Sequence, residues 1–175
     1  PDLDRSYALV YPAPRPKALL LLVPGLLEGS TNFALLAERL RAMAPGLEVW
    51  AWERRANGLA DRRGFLREDP VAYYRALALP DLTPLRAWGL EVHLKDLDLA
   101  VEAARARAPV VLAGHSLGAA LAGLYALLHG EKLSGLVLLD GAPGVVLLAE
   151  EAFYEGADLP FGRLVGYRAF LRGEG

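Results

Sequence analysis

Apolar residues in this chain come in short blocks broken by polar, glycine or proline stretches, and their period changes from block to block. Ser6–Tyr11 reads as a first strand, and Pro12, Pro14 and Pro16 then turn the chain. Ala18–Val23 is a continuous apolar run, the pattern of a strand buried on both faces, and Pro24-Gly25 ends it. Ser30-Thr31-Asn32 offers helix caps. Phe33, Leu36, Leu40 and Met43 then recur at helical spacing as far as Pro45-Gly46. Leu47–Trp52 is the next strand. From Glu53 to Gly89 the pattern loosens, and the spacing predicts only a short helix over Val71–Ala78. Leu90, Leu94, Leu97, Val101 and Ala104 mark an amphipathic helix reaching about Ala108. Pro109–Ala113 is a strand, Ala119–His129 a helix closed by Gly130, and Leu133–Leu139 a last buried strand ending at Asp140-Gly141.

Strands that alternate with helices predict an α/β fold, with a mostly parallel sheet, right-handed crossovers and helices on both faces. Ligands bind at the carboxyl ends of such strands. Three strand ends therefore matter: Pro24-Gly25-Leu26, Ser116 and Asp140. The core is expected over residues 1–141. Residues 142–175 read as the start of a cap or lid, or as an irregular tail, with Val145–Leu148 and Phe161–Phe170 as helical pieces.

The residues between the strand Pro109–Ala113 and the helix Ala119–His129 are Gly114-His115-Ser116-Leu117-Gly118. A strand that turns straight into a helix forces its corner residue into a strained, positive-φ conformation. Side chains two positions before and after would collide, so glycine is wanted at both. Such a turn lifts the serine hydroxyl above the strand end and aims the next N–H at the same space. Strand, Gly-x-Ser-x-Gly and helix together form the context of a nucleophile elbow. Here the chain resembles the α/β-hydrolase family.

That resemblance implies a chemistry. Ser116 is the nucleophile, which needs a base to take its proton. An oxyanion hole needs two donors. The Leu117 N–H, at the start of a helix, is one. The other is expected from the loop after Ala18–Val23, which in relatives usually begins His-Gly and here reads Pro24-Gly25-Leu26-Leu27. The residue after the glycine donates, so Leu26 is the candidate. Relatives often carry Asp-x-Arg-Gly-His-Gly-x-Ser after the corresponding strand. Glu53-Arg54-Arg55-Ala56-Asn57-Gly58-Leu59-Ala60 matches the acid, the arginine and the second glycine. This segment is scaffold in the family. The family's chain order is serine, acid, histidine. Asp140 is the candidate acid by its strand-end position, although aspartate there is also an ordinary turn residue.

The base does not emerge. None of the three histidines follows residue 129. His115, inside the elbow, is expected to point away from the serine and pack beneath it. His129 lies a helix length away, roughly 20 Å at the helical rise. His93, near the start of its helix, reads as a satisfied edge or surface histidine. Two readings stay open. Either the chain is a fragment and the histidine lies beyond it, or it is a non-catalytic binding or interaction protein on the same fold. The absence of a starting methionine favours a fragment.

Composition adds limits. The 175 residues suit one domain, and 54% hydrophobic content suffices for a sizeable core. A net charge of −2 points to neither nucleic acid nor an anionic membrane. Without cysteine there are no disulfides or thiol chemistry. No run is long enough to span a bilayer, and a cytoplasmic protein is expected. Arginine dominates the basic residues; this fits a thermophile or a GC-rich genome equally. No phosphate-binding glycine motif or metal cluster stands out, so no cofactor is expected. The Arg54-Arg55 and Arg62-Arg63 stretch, interleaved with acids, reads as a solvated loop. Trp50, Trp52 and Trp88 read as core or cap packing. The expected partner is a small acyl or ester substrate, through an esterase- or lipase-like reaction. Thioesterase, peptidase and acyltransferase activities would share the same elbow.

Overall fold

A computed structural model describes residues 5–76, 85 and 87–142, with the backbone of 156–159 and 162–165. Five strands form one sheet: β1 (Tyr7–Tyr11), β2 (Ala18–Val23), β3 (Leu47–Glu53), β4 (Val110–His115) and β5 (Gly135–Leu139). Their order is β1-β3-β2-β4-β5. β2, β3, β4 and β5 pair in parallel, and β1 runs antiparallel on the edge of β3. The mostly parallel sheet is as expected. β1 departs from strict alternation because only a proline-rich turn, too short for a helical crossover, joins it to β2.

Of helices α1 (Ala34–Met43), α2 (Pro70–Ala76), α3 (Leu90–Arg105) and α4 (Leu117–His129), α2 buries none of its residues and the other three complete the core. The apolar run of β2 divides between the two faces by simple alternation. Leu19, Leu21 and Val23 pack with Leu97, Val101 and Ala104 of α3 and with Leu121, Ala122 and Tyr125 of α4. Leu22 packs on the other face with Phe33 and Ala37, beside and within α1. That is why β2 carries no polar residue. Trp52 lies fully inside and Trp50 packs against the same cluster, as expected of core tryptophans.

One buried carboxylate secures the amino-terminal end of the sheet. Glu48 is inaccessible to solvent. It accepts hydrogen bonds from Arg107 Nη2 (2.7 Å), Trp50 Nε1 (2.8 Å) and the Ala13 N–H (3.1 Å). The bond from Arg107 is the chief reason its carboxyl is lowered from 4.5 to about 2. A depressed carboxylate stabilises the fold above its unfolded pKa, and that share is lost as pH falls from about 4.5 towards 2. Glu48→Ala is expected to cost about 2–4 kcal/mol, because it strands an indole N–H and a backbone N–H. Urea unfolding at pH 7 and pH 3 checks both parts: the variant's deficit should be smaller at pH 3.

Beyond residue 142, Gly156–Leu159 (β6) and Gly162–Val165 (β7) pair antiparallel. The helical reading of Phe161–Phe170 is therefore wrong over Gly162–Val165, where four residues take a strand pairing instead. Val145–Leu148 lies outside the described residues.

Candidate active site

The strand order reverses between β2 and β4. The chain leaves β2 for β3 on one side, then returns to place β4 on the other. In open α/β sheets a crevice forms outside the carboxyl ends at such a point. Two loops meet there, residues 24–29 after β2 and the elbow after β4. Val23 is paired with Gly114, and His115 with Leu139, so the three strands end nearly level.

Ser116 is exposed and sits at φ 53, ψ −119, immediately before α4. Its N–H donates to Leu139 O (3.0 Å), and its carbonyl accepts from Ala119 N–H (2.9 Å). These bonds over-determine a backbone conformation that costs about 1–3 kcal/mol in an unconstrained chain. Among the described residues, three non-glycines have positive φ: Leu27 (61°), Ser116 (53°) and Asp140 (45°). They follow β2, β4 and β5, so the strained positions gather at one end of the sheet.

The loop after β2 lies against the elbow. A Cβ built on Gly25 would come 3.1 Å from the Ser116 Cβ. Leu26, next in the chain, is exposed. Leu117 is the first residue of α4, where an N–H has no acceptor within its own helix. Both candidate oxyanion donors thus flank the Ser116 corner. On the third strand end, Asp140 is exposed, and a Cβ on its neighbour Gly141 would fall 2.6 Å from Ser116 O. The chain at 140–141 therefore abuts the elbow.

His115 does more than pack beneath the serine. It is half-buried, and its Nδ1 lies 2.9 Å from the Glu28 carboxylate. It reaches across to the loop after β2 because Glu28 gives it a partner there. Glu28 also accepts the Gly25 N–H (2.6 Å). Burial alone would raise the Glu28 carboxyl, but the bonds from His115 and Gly25 hold it below the usual carboxylate value.

The segment after β3 acts as the scaffold expected of it, whereas the solvated-loop reading holds for Arg62 and Arg63 and fails for the half-buried Arg54 and Arg55. Glu53 accepts from Ser30 N–H (2.9 Å) and Ser30 Oγ (2.7 Å). Asn57 Nδ2 donates to Glu28 O (2.9 Å) and to Glu53. Arg54 Nη2 donates to Gly25 O. Arg55 pairs with Asp96 of α3 (Nε to Oδ2, 2.7 Å) and lies over the Trp88 ring. Trp88 is thus half-buried packing, as expected. Arg62 and Arg63 are the exposed half of the basic stretch, Arg63 pairing with Asp61. Neither Glu28 nor Arg54 stands out in the sequence. The only available signal was an acid three residues after the turn glycine, in reach of that glycine's N–H.

His93 also departs from expectation. Its Nδ1 is buried with no hydrogen-bond partner among the described residues. Burial lowers its pKa, and the nearby positive charges of Arg54 and Arg55 add to this, against Asp96. The residue as a whole is only half-buried. His129 ends α4 and contacts the Tyr125 ring, at the far end of the helix from Ser116. Among the described residues no group of His, Cys, Asp or Glu is placed to hold a metal ion, and no helix is long and apolar enough to cross a membrane.

An exposed serine on a strained strand–helix corner, at the switch point of a mostly parallel sheet, defines an α/β-hydrolase. The sequence profile of the family described as serine aminopeptidase, S33 (Hydrolase_4), matches residues 14–151, and the chain belongs to that family. Among solved structures, it is similar to an N-formylmaleamic acid deformylase from Pseudomonas putida S16. The identity is 25% and the TM-score 0.51, over 78% of this chain and 43% of that one. It is also similar to a thioesterase domain from the curacin biosynthetic pathway (19%, TM-score 0.53, 78% and 42%). A third is a monoacylglycerol lipase from Paleococcus ferrophilus (20%, TM-score 0.51, 89% and 47%). The chain spans less than half the length of these structures. No protein with a curated description matches it in sequence.

Proposed function

We propose that the protein is a serine hydrolase that cleaves a carboxylic ester through an acyl-enzyme. The observation that carries this reading is Ser116, exposed at φ 53 with the Gly25 loop against its side chain. The Ser116 hydroxyl attacks the substrate carbonyl, and the Leu26 and Leu117 N–H groups hold the oxygen that becomes negative. Collapse of the tetrahedral intermediate expels the alcohol and leaves Ser116 acylated; water then releases the acid. Asp140 is the proposed acid of the triad, which would orient a histidine. None of the three histidines suits that place: His115 is engaged by Glu28, His129 is at the far end of α4, and His93 has its Nδ1 buried without a partner and its protonated form disfavoured by burial and by the charge of Arg54. The proton acceptor is therefore assigned to a histidine outside this stretch, in keeping with the limited span relative to the similar structures.

An apolar acyl group suits the mouth of the site, where Leu26 and Leu27 are 46% and 89% exposed. The thioesterase and lipase among the similar structures support an acyl substrate, and the family's description keeps a peptide in view. No cofactor enters the scheme. The test is labelling of the intact native protein with a fluorophosphonate, followed by peptide mapping. A phosphonyl group on Ser116 is expected. A folded protein with Ser116 accessible and no label would overturn the proposal.

A further inference from the structure

The Gly25–Leu26 peptide is pinned from outside the loop that contains it. Its carbonyl accepts the Arg54 guanidinium. The Glu28 N–H reaches the same oxygen at 3.3 Å, a weaker bond. On the preceding peptide, the Gly25 N–H is taken by Glu28 Oε2 at 2.6 Å. These ties use the Gly25 N–H and the Gly25 carbonyl, and neither uses the Leu26 N–H.

A trans peptide is planar, so its C=O and N–H point in opposite directions. Whatever fixes the Gly25 carbonyl also fixes the Leu26 N–H, aimed away from Arg54. A charged donor on the carbonyl further polarises the peptide and makes its N–H a stronger donor. Burial disfavours the charge on Arg54, and the Glu53 and Glu28 carboxylates counter it. Among the described residues the hydrogen bond of this partly buried guanidinium goes to a backbone oxygen, a use that fixes the orientation of one peptide.

We infer that Arg54 is a positioning residue for the oxyanion hole: by holding the Gly25 carbonyl it turns the Leu26 N–H to the space over Ser116. This rests on the serine hydrolase reading for its catalytic consequence, and not for its geometric one. Arg54 touches neither substrate nor Ser116 in this role. It acts through one peptide plane.

The experiment uses the intact native protein and the variants Arg54→Met and Arg54→Lys. The readouts are turnover of a p-nitrophenyl acyl ester, inhibition by a trifluoromethyl ketone, and the Leu26 amide resonance. The ketone forms a tetrahedral adduct that needs the oxyanion donors. In Arg54→Met, kcat is expected to fall about tenfold to hundredfold, with KM within about twofold. Ketone affinity should fall by a similar factor, and Arg54→Lys should recover part of both. The Leu26 amide proton should move upfield while that of Leu117 stays in place. Unchanged kcat and ketone affinity in a folded Arg54→Met would overturn the inference, as would a raised KM at constant kcat. If Arg54→Met does not fold, Arg54→Lys decides by the same readouts. If the unaltered protein neither reacts with fluorophosphonate nor turns over the ester, the hydrolase reading fails by itself. The Leu26 resonance then still tests Arg54, and its failure to move refutes the positioning role.

Discussion

Ser116→Ala in the intact protein is expected to cut kcat about a million-fold while leaving KM nearly unchanged. The magnitude follows from losing the nucleophile of a unit whose members act together. The unchanged KM follows because a single hydroxyl adds little to ground-state binding. Alanine at φ 53, ψ −119 is as strained as serine, so the variant should unfold close to where the parent does. Ser116→Gly separates the two effects. Glycine adopts that corner without penalty, so it should be equally inactive yet more stable by about 1 kcal/mol, or about 2–4 °C in Tm for a domain of this size. Ester turnover and thermal unfolding of both variants, side by side, check this. Turnover of Ser116→Ala within tenfold of the parent would remove Ser116 from the chemistry. A Tm for Ser116→Gly no higher than that of the parent would deny that the corner stores strain.

The elements that carry this corner were legible because each obeys a strong local rule. Ala18–Val23 has no polar residue, since its alternate side chains meet α1 on one face and α3 and α4 on the other. The elbow announces itself through glycines that sterics require. The sheet order and the antiparallel β1 were not written locally, because pairing depends on which edges remain free after the parallel core has formed.

What the sequence hid was the support around the corner. Glu28, Arg54 and Asn57 are ordinary loop residues in one dimension. They become a bracket only when β2, β3 and β4 lie side by side and bring residues 25, 54 and 115 together across gaps of many residues. The motif resemblance at Glu53–Ala60 marked this segment as scaffold, and holding the neighbouring loop is the part it plays. Its acid and its asparagine hold the loop that carries Leu26, and the arginine at the variable position holds the peptide itself. His93 was misread for a related reason. Helical spacing puts it on the edge of an apolar face, yet nothing local says that its Nδ1 will be buried without a partner near two arginine charges.

Gly118→Ala is expected to destabilise the fold by about 3–5 kcal/mol, against the direction that helix propensity alone predicts. Gly118 is in the first turn of α4, where alanine is favoured over glycine by up to about 1 kcal/mol. The packing term is larger and opposite. An added Cβ would lie 2.1 Å from Val23 O and 2.7 Å from Pro24 O, both rigid backbone. Relief requires α4 to move away from the end of β2, which loosens Leu121, Ala122 and Tyr125 in the main core. Domains of this kind hold only about 5–15 kcal/mol in all, so soluble yield should fall as well. Gly130→Ala is the control. It lies at φ −60 with open space around its Cα, and should be neutral or stabilising by about 0.4–1 kcal/mol. Urea midpoints of the two variants are the measurement, and a Gly118→Ala midpoint at or above the parent's would sink the packing argument. The same movement would carry the Leu117 N–H away from the Leu26 loop. The glycine that permits the close approach of helix and strand thus also sets the separation of the two proposed oxyanion donors.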